Sequence, residues 1–526
     1  MQCEPEVAPP PQPSLAARER EQIPRFIGAS RNVAAPLSRA AAEGEAGDGE
    51  GGGLRFPALV AFILLGAALR LYAAQGDLWL DEIWTLNLLE RARSFVDVFI
   101  GLHHDNNHVA NSAWLYLIGP SAPVPLMRLA AVALGTLAIP AAAAAGRRYC
   151  ETAGLLAALV FATSYFFVHY GSEARGYAGM TLAVLLAYAL VDAILVEGAS
   201  WRRLLALAAA IGFGTFSHLT MIEASGALAL TALLRIRGAG LRRVAPIVAV
   251  AGLASLPALL CFVYGALAPD FQLGAMVPLS PAIFAEGVAG MARPTLGFPR
   301  GVDDFALLGA AGLLALGLLA VLPAERRVFP AIAVFGLPLL HVAASLPSQQ
   351  YPRFHSTAAI GLALLAAEGC AALYLAGGWR RWAAIVLLAG FAAGDTLQLA
   401  DFYRYGRGHY ADAVKIMAER KEAPYAVDFA RGESKAVVAY YARKLGVAAT
   451  PVAPAEWCAT PPVFLLVVDL PDSNADHVER RSAGPQDCRA DFRRRGYFPA
   501  SGLSGFAWTL YEREASPEKE ITKSAR

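Results

Sequence analysis

The chain has 526 residues, of which 56% are hydrophobic and only 17% are charged, and its mean hydropathy is +0.43. This apolar excess is larger than a soluble core requires and predicts an integral membrane protein. The 45 basic and 43 acidic residues give a net charge of +2, so the chain lacks the charge excess typical of nucleic-acid-binding proteins.

The first 54 residues contain no apolar stretch and are rich in proline and glycine, as in the glycine run at 51–53. Such a segment cannot bury enough surface to fold alone, so residues 1–54 are predicted to be a disordered cytoplasmic tail. No short apolar core with a small-residue cleavage site precedes Phe56, and a cleaved signal peptide is not expected. A start codon assigned too early would explain the tail equally well.

Long apolar segments recur from Phe56 onward. A helix of about 20 residues crosses roughly 30 Å of hydrocarbon, and about eleven segments reach this length. They lie at 56–74, 124–145, 151–170, 177–197, 203–217, 219–236, 243–266, 305–323, 328–346, 354–376 and 382–400. Residues 55–400 are therefore predicted to form an all-α polytopic membrane domain.

Arginines mark every second loop of this domain. They are Arg147 and Arg148, Arg202 and Arg203, the arginines of 235–243, Arg326 and Arg327, and Arg380 and Arg381. Because basic residues accumulate in short cytoplasmic loops, these loops and the N-terminus are predicted to be cytoplasmic. The loops at 81–108, 172–175, 268–304 and 349–353 then share the outer face, and so does the tail after residue 401.

The tail at 401–526 is a different kind of sequence. YADAVKIMAERKEAP has helical spacing, and PPVFLLVVDLP is a strand-like apolar run bounded by prolines. We predict a small extracytoplasmic, periplasmic α/β domain here. Its two cysteines, Cys458 and Cys488, form a disulfide in that compartment or remain two free thiols.

The first outer loop, residues 75–123, holds an acidic pair, Asp81 and Glu82 in LWLDE, and the polar run HHDNNH at 103–108. Ionisable groups gathered beside apolar spans indicate a functional site. The tryptophans that flank the acidic pair place it at headgroup height. The alternative is an interfacial helix start with two solvated carboxylates.

Four segments resemble the GT-C membrane glycosyltransferases in order and spacing. They are LWLDEIWTL (78–86), HDNNHVANSAWLYLIGP (104–120), PLMRLAAVALGTLAIPAAAAAGRRY (125–149) and SEARGYAGMTLAVLLAYAL (172–190). The resemblance is closest to the bacterial branch related to protein O-mannosyltransferases and the lipid A aminoarabinose transferase, glycosyltransferase family 39. The chain departs from this branch where Val109 and Ala110 replace the usual Pro-Pro. The acceptor of any one relative therefore does not transfer to this chain.

The resemblance implies a GT-C fold and an inverting sugar transfer from a polyprenyl-phosphate donor, on the outer face of a bacterial inner membrane. That reaction needs a carboxylate to deprotonate the acceptor hydroxyl and positive charge to stabilise the departing phosphate. Asp81 is the predicted base, and Glu82 either orients it or is an exposed neighbour. Arg353 is the preferred phosphate contact because guanidinium pairs bidentately with phosphate oxygens, although a snorkelling interfacial arginine explains it equally well.

The other predicted substrate contacts lie in the same outer loops: Asp105, Asn107, His108, Glu173, Arg175 and Tyr177. Glu173 and Arg175 either line the sugar and phosphate site or form a salt bridge with each other. His104, Asp105 and His108 have the residue types of a divalent metal site, or they belong to a hydrogen-bonded loop over the cleft. No nucleotide cofactor and no nucleic-acid partner are expected, and the acceptor is a lipid, a glycan or a protein.

Other classes share this pattern of spans. A multi-span transporter or flippase of lipid-linked glycans usually has internal repeats and midplane charges, which the sequence does not show. An O-antigen-type polymerase or ligase would carry its decisive charges in a large late loop. A non-catalytic envelope scaffold would function without Asp81, so substitution of this residue separates the classes.

Overall fold

The computed structural model describes residues 52–274, 276–427, 434–469 and 478–514. Nearly all of the predicted tail at 1–54 lies outside the described residues. The helices of the first half are Gly52–Ala73, Leu80–Leu89, Asp97–Ile100, Val109–Ile118, Val124–Arg147, Glu151–Thr163, Tyr165–Tyr170, Tyr177–Glu197, Trp201–Ser217, Met221–Leu234, Ile236–Ala239 and Leu241–Ala266. The later helices are Pro281–Leu296, Asp304–Val321, Ala324–Ala331, Leu337–Ala343, Ser356–Leu375, Gly378–Tyr405, Tyr410–Met417 and Ser434–Leu445. A π-helical turn lies at Ile332–Gly336, and 3₁₀ turns lie at Pro352–His355, Pro454–Glu456 and Gln486–Cys488.

Eight helices in the described part of the chain are long and apolar enough to cross a membrane. Five lie within single helices, at Arg55–Ala73, Val124–Arg147, Tyr177–Glu197, Leu241–Ala266 and Asp304–Val321. Three join a helix to a neighbouring turn or helix given above, at Ala324–Ala343, Pro352–Leu375 and Gly378–Met417, and the last of these extends past the long helix Gly378–Tyr405. The other three predicted spans fall on shorter helices, at 151–170, 203–217 and 219–236. Helices satisfy every backbone hydrogen bond within one segment, as a membrane requires. The prediction of an all-α polytopic membrane protein is confirmed.

The third predicted span is broken in two at Ser164. Its hydroxyl donates to backbone carbonyls of Pro281–Leu296, and the chain leaves helical geometry there. The carboxylate of Asp395 then accepts the first N–H of Tyr165–Tyr170 at 2.7 Å, which satisfies a donor that the break exposes. The break sends the chain into a second short helix just before residues 171–176, which we call the Glu173 loop.

The predicted basic loops meet at one end of the bundle. Arg148, Arg235 and Arg326 reach the carboxylate of Asp192 at 2.9, 2.9 and 3.4 Å. Asp192 lies near the end of the helix that begins just after the Glu173 loop, and at 1.5 Å per residue the two are about 25 Å apart. The basic loops and the acidic outer loop therefore occupy opposite ends, in agreement with the alternation of arginines.

A six-stranded sheet follows the last long helix, and its strand order is β2-β1-β3-β6-β5-β4. The strands are β1 (Ala423–Val427), β2 (Ala449–Pro451), β3 (Phe464–Asp469), β4 (Arg480–Ala483), β5 (Ala490–Phe498) and β6 (Ala507–Arg513). β1 runs parallel to β2 and β3, and the helix Ser434–Leu445 makes the crossover from β1 to β2. The remaining pairs are antiparallel. The predicted small α/β domain is confirmed, with the apolar run as β3.

This C-terminal domain packs directly on the first outer loop. Met417 and Tyr441 share one buried apolar cluster with Leu78 and Ile83. The Tyr441 hydroxyl also donates to the carbonyl of Leu78 at 3.1 Å. The segment that carries the acidic pair is therefore held between the membrane helices and the C-terminal domain.

Cys458 and Cys488 form a disulfide, with their Cα atoms 5.3 Å apart and a sequence separation of 30. Replacing both by serine should lower the unfolding free energy of the domain by about 2–4 kcal/mol, because the cross-link restricts the unfolded chain. The measurement is the rate of trypsin cleavage in the tail. Cys261→Ser, which removes a partly exposed free thiol, should leave that rate unchanged. Equal cleavage of the double variant and the native chain would contradict the prediction.

Candidate active site

Asp81 lies between two arginines that come from distant parts of the chain. Its Oδ2 atom is 3.3 Å from Nη1 of Arg175 and 3.6 Å from Nη2 of Arg353. The Asp81 side chain is only 8% exposed. All three residues were predicted as site residues, and the structure brings them together at the end of the bundle opposite Asp192.

Arg353 is held by aromatic rings as well as by charge. Its guanidinium lies 4.3 Å from the ring centroid of Tyr351, 5.5 Å from that of Phe354 and 5.6 Å from that of Trp79. Stacking of this kind orients a planar guanidinium and leaves its N–H edge available for a second partner. The edge of Arg353 faces Asp81.

Glu82 makes a buried salt bridge with Arg128. The guanidinium donates to both carboxylate oxygens, from Nε at 2.8 Å and from Nη2 at 2.6 Å. The Trp79 N–H and the Ala174 N–H also donate to this carboxylate, at 3.1 and 2.8 Å. Burial raises the pKa of Glu82, but the charge and hydrogen bonds of Arg128 outweigh burial and hold the pKa below its usual value.

These contacts give Glu82 a positioning role. The bond from Trp79 caps the helix Leu80–Leu89, which carries Asp81, and the bond from Ala174 ties that helix to the Glu173 loop. Arg128 was not among the predicted site residues, although it lies within a segment that carried the resemblance. It also donates to three backbone carbonyls just before the helix.

Glu173 is fully buried and pairs with His169 at 3.0 Å and with Arg407 at 3.3 Å. It makes no side-chain salt bridge with Arg175, because that guanidinium points to Asp81 instead. Burial raises the pKa of Glu173, but the His169 contact and the Arg407 charge reverse the effect and lower it. The carboxylate thus holds its own loop in place.

Arg407 was missed by sequence reasoning. It follows the last long helix and is buried, and it donates to the carbonyls of Ala73 and His169 at 2.7 and 2.9 Å. It also donates to the Ser172 hydroxyl at 2.9 Å. One arginine at the start of the C-terminal domain therefore links the end of the first span to the Glu173 loop.

Asn106 is a third residue that the sequence analysis did not single out for a role. Its amide nitrogen donates to the Asp81 carbonyl at 2.9 Å and to the Thr85 hydroxyl at 3.2 Å. Its amide oxygen accepts a hydrogen bond from Arg175. Asn106 therefore fixes Arg175 relative to the helix that carries Asp81.

The remaining predicted residues of the polar run are bound within the outer loops, Asn107 by its own loop and Asp105 also by the loop that contains Gly274. The Asn107 amide donates to the Val98 carbonyl at 2.9 Å and accepts from the Ser112 hydroxyl at 2.8 Å. Asp105 is exposed; it contacts His104 at 2.8 Å and accepts the Gly274 N–H at 3.1 Å.

His108 and Tyr177 both lie close to Arg175. Nδ1 of His108 accepts the Gly176 N–H at 3.1 Å, and its ring centroid is 4.5 Å from that of His218 and 5.5 Å from that of Tyr177. Burial first and the nearby Arg175 charge second lower the pKa of His108 well below its usual value, so its imidazole is neutral at pH 7.

The predicted metal ligands do not converge on one point. Within the described ranges, no group of three or more His, Cys, Asp or Glu side chains is arranged to hold a metal ion. His104 and Asp105 contact each other, whereas Nδ1 of His108 is occupied by a backbone N–H. In this arrangement the three residues do not fit one common ion, and no step of the chemistry is assigned to a metal.

A cavity of about 70 Å³ opens beside the polar run. His104, Asn107, His108 and His218 line one part of it. Phe99, Phe216 and Phe262 line another part, so hydrogen-bonding groups meet aromatic rings. The cavity wall that includes the polar run is therefore partly polar and partly aromatic.

The chain is similar to several solved structures of known proteins. No family model and no curated protein sequence matches the chain. Among solved structures, ArnT from Cupriavidus metallidurans bound to undecaprenyl phosphate is 14% identical, with a TM-score of 0.47, and the match covers 85% of this chain and 98% of ArnT. The oligosaccharyltransferase of Archaeoglobus fulgidus in complex with Zn and sulfate is 12% identical, with a TM-score of 0.43, and the match covers 78% and 68%.

Proposed function

We propose that the protein is a membrane glycosyltransferase of the bacterial inner membrane, with its site and its C-terminal domain on the outer face. It moves a sugar from a polyprenyl-phosphate donor to an acceptor hydroxyl. The observation that carries the proposal is the meeting of Asp81, Arg175 and Arg353 at one end of the spans. A carboxylate base and a paired cationic site are the groups that this reaction requires.

The chemistry follows from these groups. The Asp81 carboxylate takes the proton of the acceptor hydroxyl as the acceptor oxygen bonds to the anomeric carbon. The bond from that carbon to the phosphate oxygen breaks, and polyprenyl phosphate leaves with the electron pair. Arg353 and Arg175 stabilise the negative charge that develops on the phosphate. Direct attack on the face opposite the leaving group inverts the anomeric centre.

The other site residues support these three. Glu82 and Glu173 position the acidic helix and the Glu173 loop through Arg128 and Arg407. We assign His108, beside the cavity, to the sugar side of the site, together with Tyr177, which stacks near it. Asp105 and Asn107 also line the cavity and stay predicted substrate contacts.

The proposal is tested by mass spectra of lipids and envelope glycans from cells that carry the native chain, a deletion or Asp81→Asn at matched levels. Loss of one sugar mass in both the deletion and Asp81→Asn is the expected result, and it would also identify the sugar. A loss in the deletion alone would favour a transporter or flippase of lipid-linked glycans or a non-catalytic scaffold. Purified protein that gives no turnover with matched donors and acceptors would reject the transferase.

Replacing Arg353 by lysine keeps the charge but removes the planar N–H edge that can hold two phosphate oxygens. Loss of one charge-assisted hydrogen bond is worth about 1.5–3 kcal/mol, so the donor KM should rise by about 10- to 100-fold. Initial rates against donor concentration measure this. Arg327→Lys is the matched control, because Arg327 donates to the Leu322 carbonyl at the opposite end of the bundle. An unchanged KM in Arg353→Lys would show that Arg353 does not hold the phosphate.

A further inference from the structure

Buried carboxylates and guanidinium groups occur in unequal numbers at the site. Three buried carboxylates, Asp81, Glu82 and Glu173, face four guanidinium groups, which belong to Arg128, Arg175, Arg353 and Arg407. The two histidines in contact near Arg175, His108 and His218, have pKa values lowered by burial and are neutral. Among these buried groups the guanidinium groups therefore outnumber the carboxylates by one, and Asp105, an exposed carboxylate whose pKa is lowered in part by the Arg175 charge, lies at the edge of the cluster.

The four arginines are not equivalent. Arg128 donates to both oxygens of Glu82 and to backbone carbonyls, and Arg407 donates to Glu173 and to backbone carbonyls. These hydrogen bonds hold both guanidinium groups in place. Arg175 donates to Asn106, but its carboxylate partner is shared: Arg175 and Arg353 both face Oδ2 of Asp81, at distances longer than those of the Arg128 pair.

An anionic ligand at this pair would meet Asp81 as a competitor. Phosphate oxygens and a carboxylate bind the same N–H edges of a guanidinium, and both cannot do so together without close contact between two negative charges. Oδ2 of Asp81 therefore keeps two cationic neighbours until a phosphate takes their N–H groups.

We infer that Asp81 and the donor phosphate compete for Arg175 and Arg353, so that arrival of the donor releases the Asp81 carboxylate to act as the base. The inference rests on the proposed function and adds to it the order in which the donor and the acceptor are engaged. The donor binds first, and the base becomes available for the acceptor only afterwards. Without the donor, Asp81 keeps the cationic pair partly neutralised.

If Asp81 competes with the donor phosphate, Asp81→Asn should strengthen the binding of the phosphate. The amide cannot neutralise the two guanidinium groups, so this variant should bind polyprenyl phosphate about tenfold more tightly than the native chain does, although it transfers no sugar. The probe is undecaprenyl phosphate, titrated against the purified full chain in nanodiscs. Uncharged polyprenol should bind both proteins alike.

Two further variants keep the test specific. Asp270→Asn removes a negative charge from an outer loop, where Asp270 contacts His103 and neither arginine, and it should leave the affinity unchanged. In the Arg353→Gln background, Asp81→Asn should give a smaller gain than it gives in the native chain, because one of the two contested groups is gone. Circular dichroism and the thermal unfolding midpoint check that each variant is folded.

Equal or weaker binding of undecaprenyl phosphate by folded Asp81→Asn would overturn the competition and leave the transferase proposal standing. If the native chain does not distinguish undecaprenyl phosphate from polyprenol, both fail, because the phosphate site itself is then wrong. A gain that is equally large in the Arg353→Gln background would also overturn the inference, since the effect would not pass through the shared arginine.

Discussion

Asp81→Asn should lower the rate of sugar transfer by about 10²- to 10⁴-fold, the usual contribution of a positioned general base. Asparagine has nearly the same volume as aspartate, so the change removes proton acceptance without opening a cavity. The backbone carbonyl of Asp81 would still accept from Asn106 and Thr85, at 2.9 and 3.0 Å. The measurement is single-turnover transfer at saturating donor, which separates the chemical step from binding.

Asp270→Asn serves as the control for this experiment as well. It makes the same chemical change in an exposed carboxylate of the outer loops and should keep the native rate. A transfer rate in Asp81→Asn within tenfold of the native rate would exclude Asp81 as the base, and attention would then move to Asp105, which lines the cavity.

Glu82→Gln should produce the largest loss of stability among single substitutions at the site. Glutamine keeps the shape of the side chain but leaves the guanidinium of Arg128, which is fully buried, without its counter-charge. Breaking a buried ion pair in this way costs about 3–5 kcal/mol. The expected result is a clear fall in the unfolding midpoint in detergent, with earlier proteolysis of the first outer loop.

A double variant tests whether the loss arises from the unpaired charge. Glu82→Leu combined with Arg128→Met removes both charges, and it should be more stable than either single change because no isolated charge stays buried. Glu90→Gln is the control, since Glu90 pairs with Arg443 at an exposed surface and contributes little. A double variant no more stable than Glu82→Gln would show that the hydrogen bonds to Trp79 and Ala174, not the charge, hold the loop.

The sequence was sufficient for the elements that depend on local pattern. Long apolar runs predicted the spans, and the alternation of arginines placed the loops of Asp81, Arg175 and Arg353 on one face. Three residues on one face near apolar spans are a small enough set to predict as one site. The structure brings the three side chains together, and their roles stay a prediction.

The sequence was not sufficient for the pairing of buried charges. It indicates which face a carboxylate occupies, but not which cation becomes its counter-ion, because the partners are brought together by tertiary packing. Glu82 and Glu173 are therefore placed as expected, yet they contact Arg128 and Arg407. Arg128 lies in an apolar segment, and Arg407 lies in the short stretch between the last span and the helical segment YADAVKIMAERKEAP, so neither carried a local signal. The exposed edge strand β4 also lacks the apolar alternation that predicts strands.

One apolar cluster joins Met417 and Tyr441 to Leu78 and Ile83. The chain should therefore not be divided near residue 400, although its composition changes there. A fragment that ends there would expose one half of a shared interior, and the isolated tail would expose the other half. Tails exchanged between related proteins should fail unless the facing loop is exchanged with them. Over evolutionary time, substitutions on the two sides of this contact are therefore expected to be inherited together.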